Sequence, residues 1–157
     1  MTDRSLASLE RIGVIAQYNL LEALSPSGPG ELFRARDTIR GLTVVIRRLP
    51  EAFVSREERR RLEQAAVALS ALSHPNIIRL FEVGDDGGRP FLVFEHLKGQ
   101  SLRQEMGGRP LAVRRAVRLG IQMADAVEDA HGAGYLHGGL SPESVVVTAR
   151  ERAKIPA

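Results

Sequence analysis

Residues able to do chemistry are thinly spread in this sequence, and most stand alone. The 157 residues include four histidines and no cysteine, so thiolate zinc sites, cysteine nucleophiles and disulfides are excluded. Ser25 and Ser27 lie in a Ser/Pro/Gly stretch with no histidine or aspartate placed by motif to activate a hydroxyl, so they read as turn formers. Near the carboxyl end, the polar run His137-Gly138-Gly139-Leu140-Ser141-Pro142-Glu143-Ser144 holds a single carboxylate, Glu143. A lone acid without a metal or a paired base reads as an acceptor that fixes its own loop. Arg47 supplies a fixed positive charge within the β-branched run Leu42 to Leu49.

The chain that must position these residues has an ordinary globular composition, 43% hydrophobic and 26% charged, enough for one domain or two small lobes sharing an interface. Net charge is +3, carried almost wholly by arginine, since Lys98 and Lys154 are the only lysines. The densest basic run, Arg56 to Arg61, is interleaved with Glu57 and Glu58 and reads as a solvated helix face, so no nucleic-acid partner is expected. The first residues, Met1 to Gly13, carry charges and no continuous apolar stretch. No signal peptide, membrane span or lipid contact is expected, and the absence of cysteine favours the cytoplasm.

Periodicity sets out the elements. After a leader with Leu6, Leu9 and Ile12 at helical spacing, strands are predicted over 18–24, 31–35 and 42–49, joined by turns at 25–30 and 37–41. Ser55 is expected to cap a helix to about Leu72, its apolar side made by Leu62, Ala65, Ala66, Leu69 and Leu72. Strands over 78–83 and 90–95 flank the turn Asp85-Asp86-Gly87-Gly88. Pro110 is expected to open a long helix to about His131 with two apolar stripes. Val113, Val117, Ile121 and Ala124 make one; Ala116, Leu119, Met123 and Ala126 make the other. A strand at 145–148 and another ending near Ile155 close the chain.

This order of elements resembles a protein kinase from its amino-terminal lobe into its catalytic loop. Ala35-Arg36-Asp37 resembles the segment after the phosphate loop, and Ser73-His74-Pro75-Asn76-Ile77 the turn after helix αC. Phe91-Leu92-Val93-Phe94-Glu95-His96-Leu97-Lys98-Gly99 looks like the hinge, and His137 to Ser144 is similar to the HRDLKPEN loop. The strings fall in order across nearly the whole chain and look most like the eukaryotic-type Ser/Thr kinases of bacteria. The resemblance implies an α+β fold: a five-stranded antiparallel sheet with helix αC, then hinge and partial large lobe. It divides the chain into a leader (1–17), a small lobe (18–95) and a hinge with partial large lobe (96–157). The end falls at the position of the magnesium-binding aspartate, so the activation segment and the rest of the large lobe are expected to be missing.

What the resemblance implies for chemistry is loss, because kinase catalysis is positioning plus charge stabilisation. Ser25 and Ser27 stand at the first two phosphate-loop glycines, leaving Gly30, while Pro26 and Pro29 remove amide donors. Val44-Val45-Ile46-Arg47 matches VAIK with arginine for the phosphate-binding lysine, and a planar guanidinium does not copy a compact ammonium. The glutamate of helix αC falls at Ala65, with Glu63 the alternative if the alignment is offset. The base aspartate becomes Gly139, the lysine of the loop Ser141, the metal-binding asparagine Ser144 and the second metal ligand Ala157. His137 and His74 take structural roles in the family. The remnant nucleotide pocket would comprise Gly30, Leu32, Val45, Arg47, Phe94, Glu95, Leu97 and Val146, with Val45 and Phe94 bulky enough to fill it.

The expectation is therefore a pseudokinase that serves as a protein-interaction or regulatory module. No cofactor is expected beyond weak, metal-independent ATP binding. A protein partner or a second copy is expected on the long helix, 110–131, where one apolar stripe would otherwise stay exposed. The competing readings are residual or two-chain ATP-dependent Ser/Thr kinase activity, an inactive truncated product and, more remotely, a DNA-binding regulator.

Overall fold

The computed structural model describes residues 12–24, 30–50 and 55–156. Alternating apolar residues build its first layer. β1 (Gly13–Ile15), β2 (Tyr18–Leu24), β3 (Glu31–Asp37) and β4 (Thr43–Arg48) lie side by side, followed by β6 (Arg89–Glu95) and, at the edge, β5 (Leu80–Asp86). Every pairing is antiparallel. Val44 and Ile46 pack with Phe33, Ala35, Phe91 and Val93 in one core, which leaves Val45 and Arg47 to face the other way. The sheet curls enough for the Tyr18 hydroxyl on β2 to donate to Glu82 Oε2 on β5 at 2.7 Å.

α1 (Arg56–Ala71) begins where the sequence predicts. The Ser55 hydroxyl accepts from the Glu58 amide, and Glu57 and Glu58 in the first turn suit the helix dipole. Leu62, Ala66 and Leu69 then settle on Leu80 and Leu92 of the sheet.

The second layer holds β7 (Gly99–Ser101), α2 (Leu102–Met106), α3 (Val113–Gly132), β8 (Val146–Thr148) and β9 (Ala153–Lys154), with β7-β8-β9 forming a small sheet. Ser101 starts α2 through a full capping box with Gln104. Leu119, Ala126 and Ala130 of α3 pack on Ile77, Val145, Val147, Ala153 and Ile155. Of the two predicted stripes, one is buried at Leu119 and Ala126, half-buried at Met123 and exposed at Ala116, while Val113, Val117, Ile121 and Ala124 of the other are all exposed. No helix among the described residues is long and apolar enough to cross a membrane.

Four details differ from the sequence expectations. The main sheet has a sixth strand, β1, formed by residues read as leader: Ile15 is fully buried, and Ala16 takes a positive φ of 48° in the tight turn to β2. β5 starts at Leu80 rather than Ile78, because Ile77 bridges to Ile155 and the Ile78 amide donates to the Ile155 carbonyl. The β5–β6 turn narrows to Gly87-Gly88, both at positive φ, so Asp85 and Asp86 belong to the strand. α3 starts at Val113, since Leu111 must first turn inward to join the second core.

Candidate functional site

β4 lies between β3 and β6, and its register brings the predicted pocket residues onto one face. Leu32 pairs with Arg47, Arg47 with Leu92, and Val45 with Phe94, so all five side chains share the side opposite the first core. Phe94 packs against the Leu69, Leu80 and Leu92 cluster beneath α1. Arg47 is half-buried, and burial pulls its guanidinium below the ordinary arginine pKa. Val146 stands in the second layer on β8, opposite Ser101 and Lys154. Gly30 has φ 94°, and a Cβ there would lie 2.3 Å from the Arg48 carbonyl oxygen. Glycine is thus required at position 30 by close strand packing alone.

The hinge keeps a usable backbone. Among the described residues no hydrogen-bond partner takes the Leu97 amide, whereas the Glu95 amide donates to the Arg79 carbonyl at 3.0 Å. Its neighbour His96 has a pKa below the ordinary histidine value, first through burial and then through Arg34 and Lys98.

The polar loop bonds both within itself and to α2, where the Arg103 amide donates to the Pro142 carbonyl at 2.9 Å. The Ser144 hydroxyl donates to the Ser141 carbonyl at 2.9 Å and accepts from the Ser141 amide at 3.1 Å. His137 Nδ1 accepts from the Gly139 amide at 3.1 Å, a structural use of the ring, and burial lowers the pKa of His137. Arg103 Nε donates to Glu143 at 2.8 Å, and this bond is the first cause of a Glu143 pKa below the usual carboxylate value. Gly139 is exposed, and a Cβ added there meets nothing within 4 Å.

Two junctions that the sequence does not single out hold the layers together. Lys154 Nζ meets Glu95 Oε1 at 2.6 Å with side chains only 17% and 23% exposed, and the same oxygen accepts from the Arg79 amide. The chain's second lysine is therefore spent on the hinge. Asn76, buried, donates to Gln122 Oε1 and to the Ala153 carbonyl, both at 2.8 Å, and Gln122 Oε1 also accepts from the Ala153 amide. His74 supports the same turn, accepting from the Asn76 amide and meeting Asp125 at 3.1 Å.

A family model described as protein tyrosine and serine/threonine kinase matches residues 28–156. The chain belongs to the protein kinase family. It is 35% identical over 137 residues to serine/threonine-protein kinase pkn3 of Myxococcus xanthus, covering 85% of this chain and 25% of that protein. Serine/threonine-protein kinase PknD of Mycobacterium tuberculosis is 31% identical over 138 residues, covering 85% and 20%. The fold matches the PknI kinase domain of M. tuberculosis with a TM-score of 0.82 at 24% identity, covering 95% of this chain and 61% of that domain. The chain thus spans a quarter or less of these curated relatives.

Of the positions that the kinase resemblance assigns to metal ligands, Ser144 lies among the described residues. Magnesium takes oxygen ligands, chiefly carboxylates and phosphates. Ser144 is engaged with Ser141, Gly139 has no side chain, and no cluster of three or more acidic, histidine or cysteine side chains able to hold an ion occurs among the described residues. Ser25, Ser27 and Ala157 lie outside the described residues. Ala65 is half-buried on α1, whereas Glu63 lines a groove of about 470 Å³ between α1 and β5 that does not include Arg47.

Proposed function

We propose that this kinase-family domain does not transfer phosphate and acts as a protein-interaction or regulatory module, a pseudokinase. The observation that carries the proposal is the loop itself. At the base position Gly139 offers no proton acceptor, and the loop's carboxylate, Glu143, is held by Arg103. Ser144, at a metal-ligand position, satisfies the loop backbone. Arg47 and Ala65 in place of the lysine and its glutamate partner support the same conclusion from the other lobe.

In this reading the domain works in the cytoplasm with protein partners and has no metal cofactor. Nucleotide binding is confined to a weak, metal-independent contact of adenine with the Leu97 amide between Leu32, Val45 and Val146. Thermal unfolding in the presence of ATP, with and without magnesium, tests this directly through ligand linkage. The expected result is a small shift that is identical with and without the metal. A large shift that requires magnesium would contradict the proposal.

A further inference from the structure

The strand register collects positive charge at one edge of the cleft. On β3, Leu32, Arg34 and Arg36 alternate with the buried Phe33, Ala35 and Asp37 and so share the side that Val45 and Phe94 face. Arg34 pairs with Val45 and Arg36 with Thr43, which carries the row toward the hinge. There β6 ends at Glu95, opposite Val44, and the chain continues through His96 and Leu97 to Lys98. Arg34 and Lys98 both act, after burial, to lower the pKa of the half-buried His96 ring. Glu22 meets this edge on Arg34, its Oε2 lying 2.9 Å from both Nε and Nη2. Among the described residues no ion pair takes Arg36 or Lys98, and both are exposed. Like charges gathered in this way repel one another, and an anion laid across them relieves the repulsion.

We propose that Arg34, Arg36, His96 and Lys98 form a docking edge for an extended acidic segment of a partner protein. Arg34 and Arg36 stand two residues apart on one strand, roughly 7 Å, which is also the repeat of same-side residues along an extended peptide. Carboxylates at alternate positions of such a peptide can therefore meet both guanidinium groups. Among the described residues no phenylalanine or tyrosine is exposed, so the bases of a nucleic acid find no stacking platform. The sign of this edge, rather than its exposure, selects the occupant. The inference rests on the interaction-module reading and names the partner's chemistry.

Fluorescence anisotropy of a labelled peptide of alternating glutamate and serine, titrated with the full chain, tests it. The expected result is saturable binding that weakens with added salt, and none of the matching lysine–serine peptide. Arg36→Glu with Lys98→Glu weakens binding by about tenfold or more, whereas Arg36→Lys with Lys98→Arg retains it. Arg36→Gln with Lys98→Gln introduces no new charge and weakens binding in the same direction, so the result does not depend on the reversed variant folding. Arg114→Glu with Arg118→Glu, an equal change of net charge on exposed positions of α3, alters binding by less than about twofold. No binding, an equal loss from the α3 pair, or tighter binding of oligothymidylate or phosphatidylserine vesicles than of the acidic peptide overturns the proposal. Phosphoryl transfer by a chain that still binds the peptide would remove the inactivity reading and leave the docking edge standing, so the two failures are distinguishable.

Discussion

The junction around Asn76 and Lys154 and the loop from His137 to Ser144 lie in the same domain, but their polar groups are directed differently. At the junction, side chains reach across the chain: Asn76 to Ala153, Lys154 to Glu95. In the loop, His137 and Ser144 bond residues two or three positions away. The junction therefore holds two layers in register, while His137 and Ser144 hold the shape of the loop. The framework of a fold and its functional groups draw on different residues.

Breaking the junction should cost most. Asn76→Leu removes both donors and strands the Ala153 carbonyl, so denaturant unfolding should show a loss of about 2–3 kcal/mol. Lys154→Met leaves Glu95 with only the Arg79 amide at that oxygen; because the pair is partly solvated, the expected loss is about 1–2 kcal/mol. The loop should tolerate change. Gly139→Asp places its Cβ in open space and should alter stability by less than about 0.5 kcal/mol, without restoring phosphate transfer. A cost comparable to that of Asn76→Leu would erase the contrast between the two regions.

The smallest effect is a pH slope. His137 and His96 both have folded pKa values below the ordinary histidine value, chiefly through burial. Between the folded value and about 6.5 the unfolded chain binds more protons, so stability rises with pH there and is lost as pH falls below about 6.5. Melting temperature measured from neutral to mildly acidic buffer should decline, and His137→Gln should flatten the decline.

The features legible in the sequence are those written locally. The alternation Val44, Ile46 announced a strand, Ser55 announced a helix start, and the order of short strings announced the family. That Gly139, Ser141 and Ser144 stand where the resemblance implies aspartate, lysine and asparagine could be read by position alone. Two kinds of feature stayed hidden. β1 spans only three residues, too short for alternation to register. The Asn76 to Ala153 bond joins residues 77 apart and Lys154 to Glu95 joins residues 59 apart, and such polar pairings leave no periodic mark. Glu143 was legible as a loop-fixing acid, but its partner Arg103, 40 residues away, was not.

The central claim is that this cleft lacks the charges needed to move a phosphoryl group. Its most direct test is incubation of the chain with γ-labelled ATP, magnesium or manganese and a generic protein acceptor. The account predicts no label transferred to the acceptor or to the chain itself above a protein-free control. Turnover that disappears on Arg47→Ala or Glu143→Gln would contradict it.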